Sequence, residues 1–255
     1  MTLDLSEYKN SIYHNPQRYE DQYWWKKNDI EFWKNIYDKH IGTRILELGC
    51  GTGRLGLPLL RCGAHYTGVE ISKEFCVYAE EKIVQSGFAP NIVNQDFRDF
   101  NLGEKYDIIF IGFNTFLHIL TDSDAISFLK AVKSHMHSES RFYIDIFVPD
   151  PSFLYRTQKR VKNLEYIDSQ TNQTIYIDEV CNYDQSTEIN KVTWIYYSKD
   201  SAKEEKYQFT MRMYYPDTMN RIITDVGFHI NQLWGDHEFN EFNEYSELQI
   251  YECQL

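Results

Sequence analysis

Glu47-Leu48-Gly49-Cys50-Gly51-Thr52-Gly53 stands between a run that reads as a strand and a run that reads as a helix. A G-x-G-x-G turn lets the backbone approach a ligand closely, because glycine has no Cβ and tolerates unusual φ. The helix after it offers free N–H groups to an anionic end of that ligand. Alone, such a turn is also compatible with no ligand at all. Glu70, at the end of the next strand-like run, supplies a second half. A carboxylate there can accept hydrogen bonds from both hydroxyls of a ribose, at the carboxyl edge of a parallel sheet. The two features together point to a nucleoside-containing cofactor. The dinucleotide fingerprint is not met: Arg54 stands where its third glycine belongs, and that glycine comes one residue early, at Gly53.

No aspartate–histidine cluster shows metal-ligand spacing, which argues against metal dependence. Cys50, Cys62, Cys76, Cys181 and Cys253 are odd in number and lack C-x-x-C spacing, which argues against a zinc site or a disulfide framework.

Several elements must position these residues. Residues 43–48 read as an apolar strand, and 55–62 as the continuation of a helix whose first turn follows Gly53. Residues 65–71 read as a second strand, with Ser72 as N-cap of a helix running to about residue 85. Further strands fall at 91–95, 106–112 and 141–147, with a helix over 122–135. This alternation predicts an α/β fold with a Rossmann-like, doubly wound, mostly parallel sheet. Trp24, Trp25, Ile30, Phe32, Trp33 and Ile36 predict one amphipathic helix over 22–40, covering part of the sheet or site. The runs 174–180 and 188–197 predict an antiparallel excursion, used as a lid or as a homodimer contact. A strand over 206–215, a helix over 216–226 stopped by Gly227, and strands over 228–234 and 246–253 would close the sheet. The expectation is one domain over 1–255. It has an N-terminal helical cap (1–42), a cofactor-binding half (43–150), an inserted antiparallel β lid (151–206) and closing strands and helix (207–255).

The chain has 255 residues and a formal net charge of -12, from 26 Lys+Arg against 38 Asp+Glu. Hydrophobic residues make up 42% and charged residues 25%, which excludes the disordered and low-complexity classes. Aromatic residues, at 16%, can furnish a large core. The acidic balance disfavours nucleic acid, whose phosphates are bound chiefly by Lys and Arg. Arg156, Lys159, Arg160 and Lys162 form a local basic cluster, which reads as a solvated face. The longest apolar stretch, 106–120, is broken by Asp107, Asn114, Thr115 and His118 and is too short to span a bilayer. Residues 1–10 carry Asp4 and Glu7 and no apolar core, which argues against a signal peptide. The expected protein is reduced, cytoplasmic and soluble.

Residues 45–59 (ILELGCGTGRLGLPL), Glu70, Asp96-Phe97 and the 113–118 stretch resemble the class I S-adenosylmethionine-dependent methyltransferases. Residues 19–32 are similar to the N-terminal segment of bacterial small-molecule members, and the 151–206 insert is similar to the layer in sugar-amine N,N-dimethyltransferases and glycine N-methyltransferases. Where the family commonly has Pro-Gly-Gly before the fifth strand, this chain has His137-Ser138-Glu139-Ser140. The resemblance implies S-adenosylmethionine as cofactor and S-adenosylhomocysteine as product. It implies that Gly49, Cys50, Gly51 and Gly53 form the loop at the amino-acid tail, with Glu47 beneath it near the ammonium. Glu70 takes the ribose hydroxyls, Ile71 lies against one adenine face, Asp96 accepts from the adenine amino group, and Phe97 offers a backbone N–H. Phe113 and Asn114 flank the methionine portion. His118 lies where the acceptor meets the methyl group in this family, and a histidine with an unperturbed pKa of ~6.5 can remove a proton near neutral pH. Tyr19 and Tyr23 could orient the acceptor or the sulfonium. Core packing is the alternative use of Phe113, His118 and the tyrosines, and loop solvation that of Asp96.

The function expected is methyl transfer to a small-molecule acceptor at nitrogen or oxygen. Asn114-Thr115-Phe116-Leu117 departs from the Asn/Asp-Pro-Pro-aromatic run of DNA base-amine methyltransferases. Two rivals stay open: a non-catalytic cofactor-binding regulatory or assembly protein, and a nicotinamide oxidoreductase on a similar sheet.

Overall fold

The computed structural model describes residues 12–40, 43–156, 159–201 and 203–255. The 1–10 stretch read against a signal peptide lies outside them. In chain order the elements are α1 (Pro16–Gln22), α2 (Asn28–Asp38), β1 (Arg44–Leu48), α3 (Gly56–Arg61), β2 (His65–Glu70), α4 (Lys73–Gln85) and β3 (Ile92–Asn94). Next come β4 (Tyr106–Ile111), α5 (Asp122–Ser134), β5 (Met136–Phe147), α6 (Pro151–Leu154), β6 (Val161–Ile167) and β7 (Thr174–Asp184). The chain ends with β8 (Ile189–Tyr197), β9 (Glu205–Arg212), α7 (Pro216–Asp225), β10 (His229–Trp234) and β11 (Leu248–Gln254). They fall into two compact units. One comprises Lys27–Val148 and Tyr214–Leu255; the other holds Pro149–Met213 and the described residues before Lys27.

The larger unit carries a seven-stranded sheet of order β10-β11-β5-β4-β1-β2-β3. β3, β2, β1, β4 and β5 run parallel; β11 pairs antiparallel with β5 and with β10, so β11 alone runs against the rest. β1 (RILEL) and β4 (YDIIFI) are near-continuous apolar runs, as strands covered on both faces require. The predicted Rossmann-like α/β fold is the observed one. Chain order reverses beside β1, and the crevice at such a reversal opens at the carboxyl ends of the strands. Local signals set the helix ends: Ser72 Oγ accepts from Phe75 N, Thr121 Oγ1 accepts from Asp124 N, and Gly227 ends α7 at φ +84°.

Three expectations are corrected. The single helix over 22–40 is two helices, and Trp24 and Trp25 between them are 62% and 50% exposed. The break coincides with the boundary between the units, and the buried stripe of α2 starts only at Asp29, then Phe32, Trp33, Ile36 and Tyr37. His137-Ser138-Glu139-Ser140 is strand rather than a turn. Ser140 Oγ accepts from His137 N and donates to Tyr106 O, bridging a register slip between β4 and β5. The strand read at 206–215 does not join the large sheet. It is β9, the antiparallel partner of β8, with Ile189 opposite Arg212.

The second unit is a four-stranded antiparallel sheet, β6-β7-β8-β9. Its core gathers Tyr166, Ile177, Cys181, Val192, Trp194 and Tyr196. The basic cluster is neutralised by acids: Arg156 pairs with Glu179, Arg160 with Asp178 and Glu204, and Lys162 with Glu165. All five cysteines are unpaired. Among the described residues no helix is long and apolar enough to cross a membrane.

Candidate active site

Strand register places the site. Glu47 of β1 is paired with Gly68 of β2 and with Phe110 of β4, and Phe110 with Tyr143 of β5. Two residues further on, Gly49, Glu70, Gly112 and Asp145 therefore stand at one height, on adjacent strands spaced about 4.8 Å apart. This is the carboxyl edge of the sheet.

The glycine loop is fastened to β2, with Gly49 N and Cys50 N both donating to Val69 O, at 2.8 and 3.0 Å. Gly49, Gly51 and Gly53 have φ of +72°, +58° and +72°, the left-handed region that glycine enters without strain. At Gly49 close approach adds a second requirement: a Cβ there would lie 2.4 Å from Thr115 Cγ2. The turn after β4 thus rests directly on the loop. Above Gly51 a Cβ would meet nothing nearer than Phe75 at 4.0 Å, so this face of the loop is open. Glu70 closes the arrangement. Its Oε2 accepts from Gly51 N at 2.9 Å and its Oε1 from Ser72 N at 2.8 Å. Burial pushes its carboxyl above the usual range against these bonds.

Beneath the loop lies an acidic lattice in which one guanidinium takes part. Asp29 is fully buried, and Arg54 donates to both of its oxygens at 2.7 Å. Glu47 is buried and accepts from the Tyr66 hydroxyl. Burial raises the Glu47 pKa to about 8, with the Tyr66 bond and Arg54 opposing and Asp29 and Glu70 reinforcing. His237 Nε2 meets Asp145 Oδ2 at 3.1 Å, each side chain only 4% exposed. Asp29, Asp145 and His237 bring three metal-type donor atoms within 4.8 Å of one another, a grouping that sequence spacing did not reveal. Arg54 takes both Asp29 oxygens and His237 takes one oxygen of Asp145, so each carboxylate has its own hydrogen-bond partner.

The Glu47 shift has a measurable consequence. Its folded pKa lies above the ordinary value of 4.5, so the stability it contributes is full below that value and is lost as pH rises toward about 8. Glu47→Gln should therefore stabilise the ligand-free protein more at pH 8 than at pH 5, by several degrees in Tm, at roughly 2–4 °C per kcal/mol for a chain of this size. Melting curves at the two pH values check it; an equal Tm change at both would show that Glu47 is ionised throughout.

The remaining candidates are placed as follows. Phe113 and Asn114 form a left-handed pair, at φ 49° and 66°. The Arg54 guanidinium lies 5.0 Å from the centre of the Phe113 ring. His118 ends the short 3-10 turn after this pair and is half-buried. Ile71 is half-buried beside Glu70. Asp96 is engaged by Arg98, whose Nη2 lies 2.6 Å from Oδ2, and Phe97 packs edge-on against Phe128. Cys50 is buried, its Sγ close beneath Gly68, and its thiol pKa is pushed far up by burial. Tyr19 and Tyr23 belong to the other unit, where their rings pack 4.6 Å apart. Sequence reasoning missed Asp29, Asp145 and His237. The only signal was Asp29 at the head of the α2 stripe.

Comparison with known proteins bears on part of the chain. Residues 45–139 match the family described as "Methyltransferase domain". Residues 45–139 thus carry a methyltransferase domain. The cypemycin N-terminal methyltransferase of Streptomyces sp. is 25% identical over 134 residues, 52% of this chain and 53% of that protein's own length, so the chain spans about half of this relative. The CcbJ methyltransferase of Streptomyces caelestis shares the fold at a TM-score of 0.77 and 19% identity, over 94% of this chain and 99% of that one. CalS10, an amino pentose methyltransferase from Micromonospora echinaspora solved with S-adenosylmethionine bound, shares it at a TM-score of 0.67 and 14% identity, over 90% and 92% of the two chains.

The residues present fit S-adenosylmethionine. The Glu70 carboxylate accepts from Gly51 N and Ser72 N, with Ile71 N also facing it, and a carboxylate has about four acceptor positions, which leaves capacity for a ribose hydroxyl. The loop is open at Gly51.

Proposed function

We propose that this methyltransferase acts on a small-molecule acceptor at nitrogen or oxygen. The observation that carries the reading is the junction at the sheet edge, where Glu70 holds Gly51 and Thr115 rests on Gly49. It ties a ribose-type acceptor group, the glycine loop and the turn leading to His118 into one place. The names of the cypemycin N-terminal methyltransferase, of the sugar N-methyltransferase KedS8 and of the amino pentose methyltransferase CalS10 favour nitrogen.

Bound S-adenosylmethionine supplies an electrophilic methyl group on a sulfonium. Gly49, Cys50, Gly51 and Gly53 receive the amino-acid tail, and Glu47 lies under its ammonium. Glu70 binds the ribose, with Ile71 and Phe97 at the adenine. Asp96 can reach the adenine amino group only by sharing its carboxylate with Arg98. Phe113 and Asn114 flank the methionine portion. His118 takes the proton released by the acceptor, and an in-line approach needs the acceptor held in alignment. Tyr19 and Tyr23 are the candidates for orienting the acceptor or the sulfonium through their hydroxyls. Four of the five cysteines are buried, as a reduced cytoplasmic protein allows.

Mass spectrometry of cell extract incubated with the protein and methyl-labelled S-adenosylmethionine tests the reading. A labelled small molecule is expected. Label found only in protein or nucleic acid would contradict it.

A further inference from the structure

Phe113 is the costliest backbone position in the site. It is bulky and non-glycine at φ 49°, and Asn114 follows it at 66°. Left-handed residues of this kind persist only where their surroundings over-determine them. Here the surroundings are two separate networks. On one side, Asp29 grips Arg54 and Arg54 covers the Phe113 ring. On the other, Asp145 meets the turn twice and meets His237 once. Its carbonyl accepts from Asn114 N at 3.1 Å, its Oδ2 lies 3.5 Å from Phe113 N, and the same Oδ2 meets His237 Nε2. Asn114 Oδ1 completes the stitching by accepting from Phe147 N at 2.8 Å.

His237 is itself fixed. Its ring packs against Phe32 at 5.5 Å, and its loop is drawn tight by Gly235 N donating to Asn240 O and by Asp236 accepting from Glu238 N and Asn240 N. Its Nδ1 is buried with no partner among the described residues. A buried imidazole left half-satisfied is an unfavourable choice for simple packing. It is explained if the Nε2–H donated to Asp145 is what matters.

We propose that His237 and Asp145 are positioning residues for methyl transfer: they hold Phe113–Asn114 in the left-handed turn that rests on the glycine loop. The inference rests on the methyl-transfer reading above, and it joins the C-terminal loop at 235–241 to the methionine end of the cofactor. Because Thr115 lies against Gly49, a relaxed turn shifts the loop as well as the path to His118. The effect is therefore visible in cofactor affinity, without any acceptor.

The test is calorimetric titration of S-adenosylmethionine into folded variants, each checked by its melting curve. His237→Ala should weaken binding about tenfold, within the range of one strained left-handed residue. His237→Gln can still donate an N–H to Asp145 and should stay within about threefold of the parent. In a Phe113→Gly background the turn needs no holding, because glycine enters the left-handed region freely. There, adding His237→Ala should cost less than about twofold, a non-additivity that marks coupling. Should the alanine variant not fold, Asp145→Asn carries the same comparison. An equal loss in the Phe113→Gly background, equal losses for alanine and glutamine, or no loss in any folded variant would each overturn the proposal. A parent protein that binds no S-adenosylmethionine would overturn the functional reading along with it.

Discussion

His118→Asn lowers kcat by roughly 10²–10⁴ while cofactor affinity barely changes, because a positioned general base contributes about that factor. His118 closes the 3-10 turn that follows Phe113–Asn114, whereas the ribose and tail contacts come from Glu70 and the glycine loop. The two functions are thus separable by substitution. In the parent enzyme the rate should also fall at low pH, as the imidazole takes a proton. Other histidines show what a packed one does. His135 is 2% exposed, accepts from Leu102 N through Nε2 and bonds Ala131 O through Nδ1. Loss of such a group lowers Tm, and activity follows the folded fraction. If His118→Asn behaves in that way, or keeps full activity, the acceptor proton goes elsewhere.

Glu70→Ala should weaken S-adenosylmethionine and S-adenosylhomocysteine alike, by roughly 10- to 150-fold, since charge-assisted bonds are worth roughly 1.5–3 kcal/mol together. Part of this loss is indirect. Without the carboxylate, Gly51 N and Ser72 N lose their acceptor, and the loop loses one of its ties to β2. Glu70→Gln separates the two parts, because an amide oxygen can still accept from one of these groups. Titration of both variants with both ligands is the measurement. A variant that discriminates strongly between the ligands would place Glu70 at the sulfonium rather than the ribose.

Much of this site was legible because its chemistry is local. Three glycines at positive φ, a carboxylate ending β2 and an N-cap at Ser72 all lie within 25 residues, and each leaves a mark in residue type. The alternation of strand and helix gave the sheet for the same reason. The lattice beneath was not legible. Asp145 and His237 are 92 positions apart, and Arg54 and Asp29 are 25 apart. Asp145 and His237 meet because β11 pairs with both β5 and β10, and Asp29 meets Arg54 because α2 packs beside α3; no spacing announces either. Trp24 and Trp25 misled in a related way. Helical periodicity ran through them, but the chain passes there from one compact unit to the other. β9 reads as a strand from its residues, yet its choice of β8 as partner is a property of the hairpin and not of the strand. Arg98, which engages Asp96, sits two residues away and was visible; its consequence for the adenine contact was not drawn from sequence.

Calorimetric titration of the purified protein with S-adenosylmethionine, S-adenosylhomocysteine and NADH tests the central claim most directly. Saturable heat is expected with both sulfur ligands, with Kd in the micromolar range, on the order of -8 kcal/mol, and none with NADH. Heat with NADH and none with either sulfur ligand would contradict it.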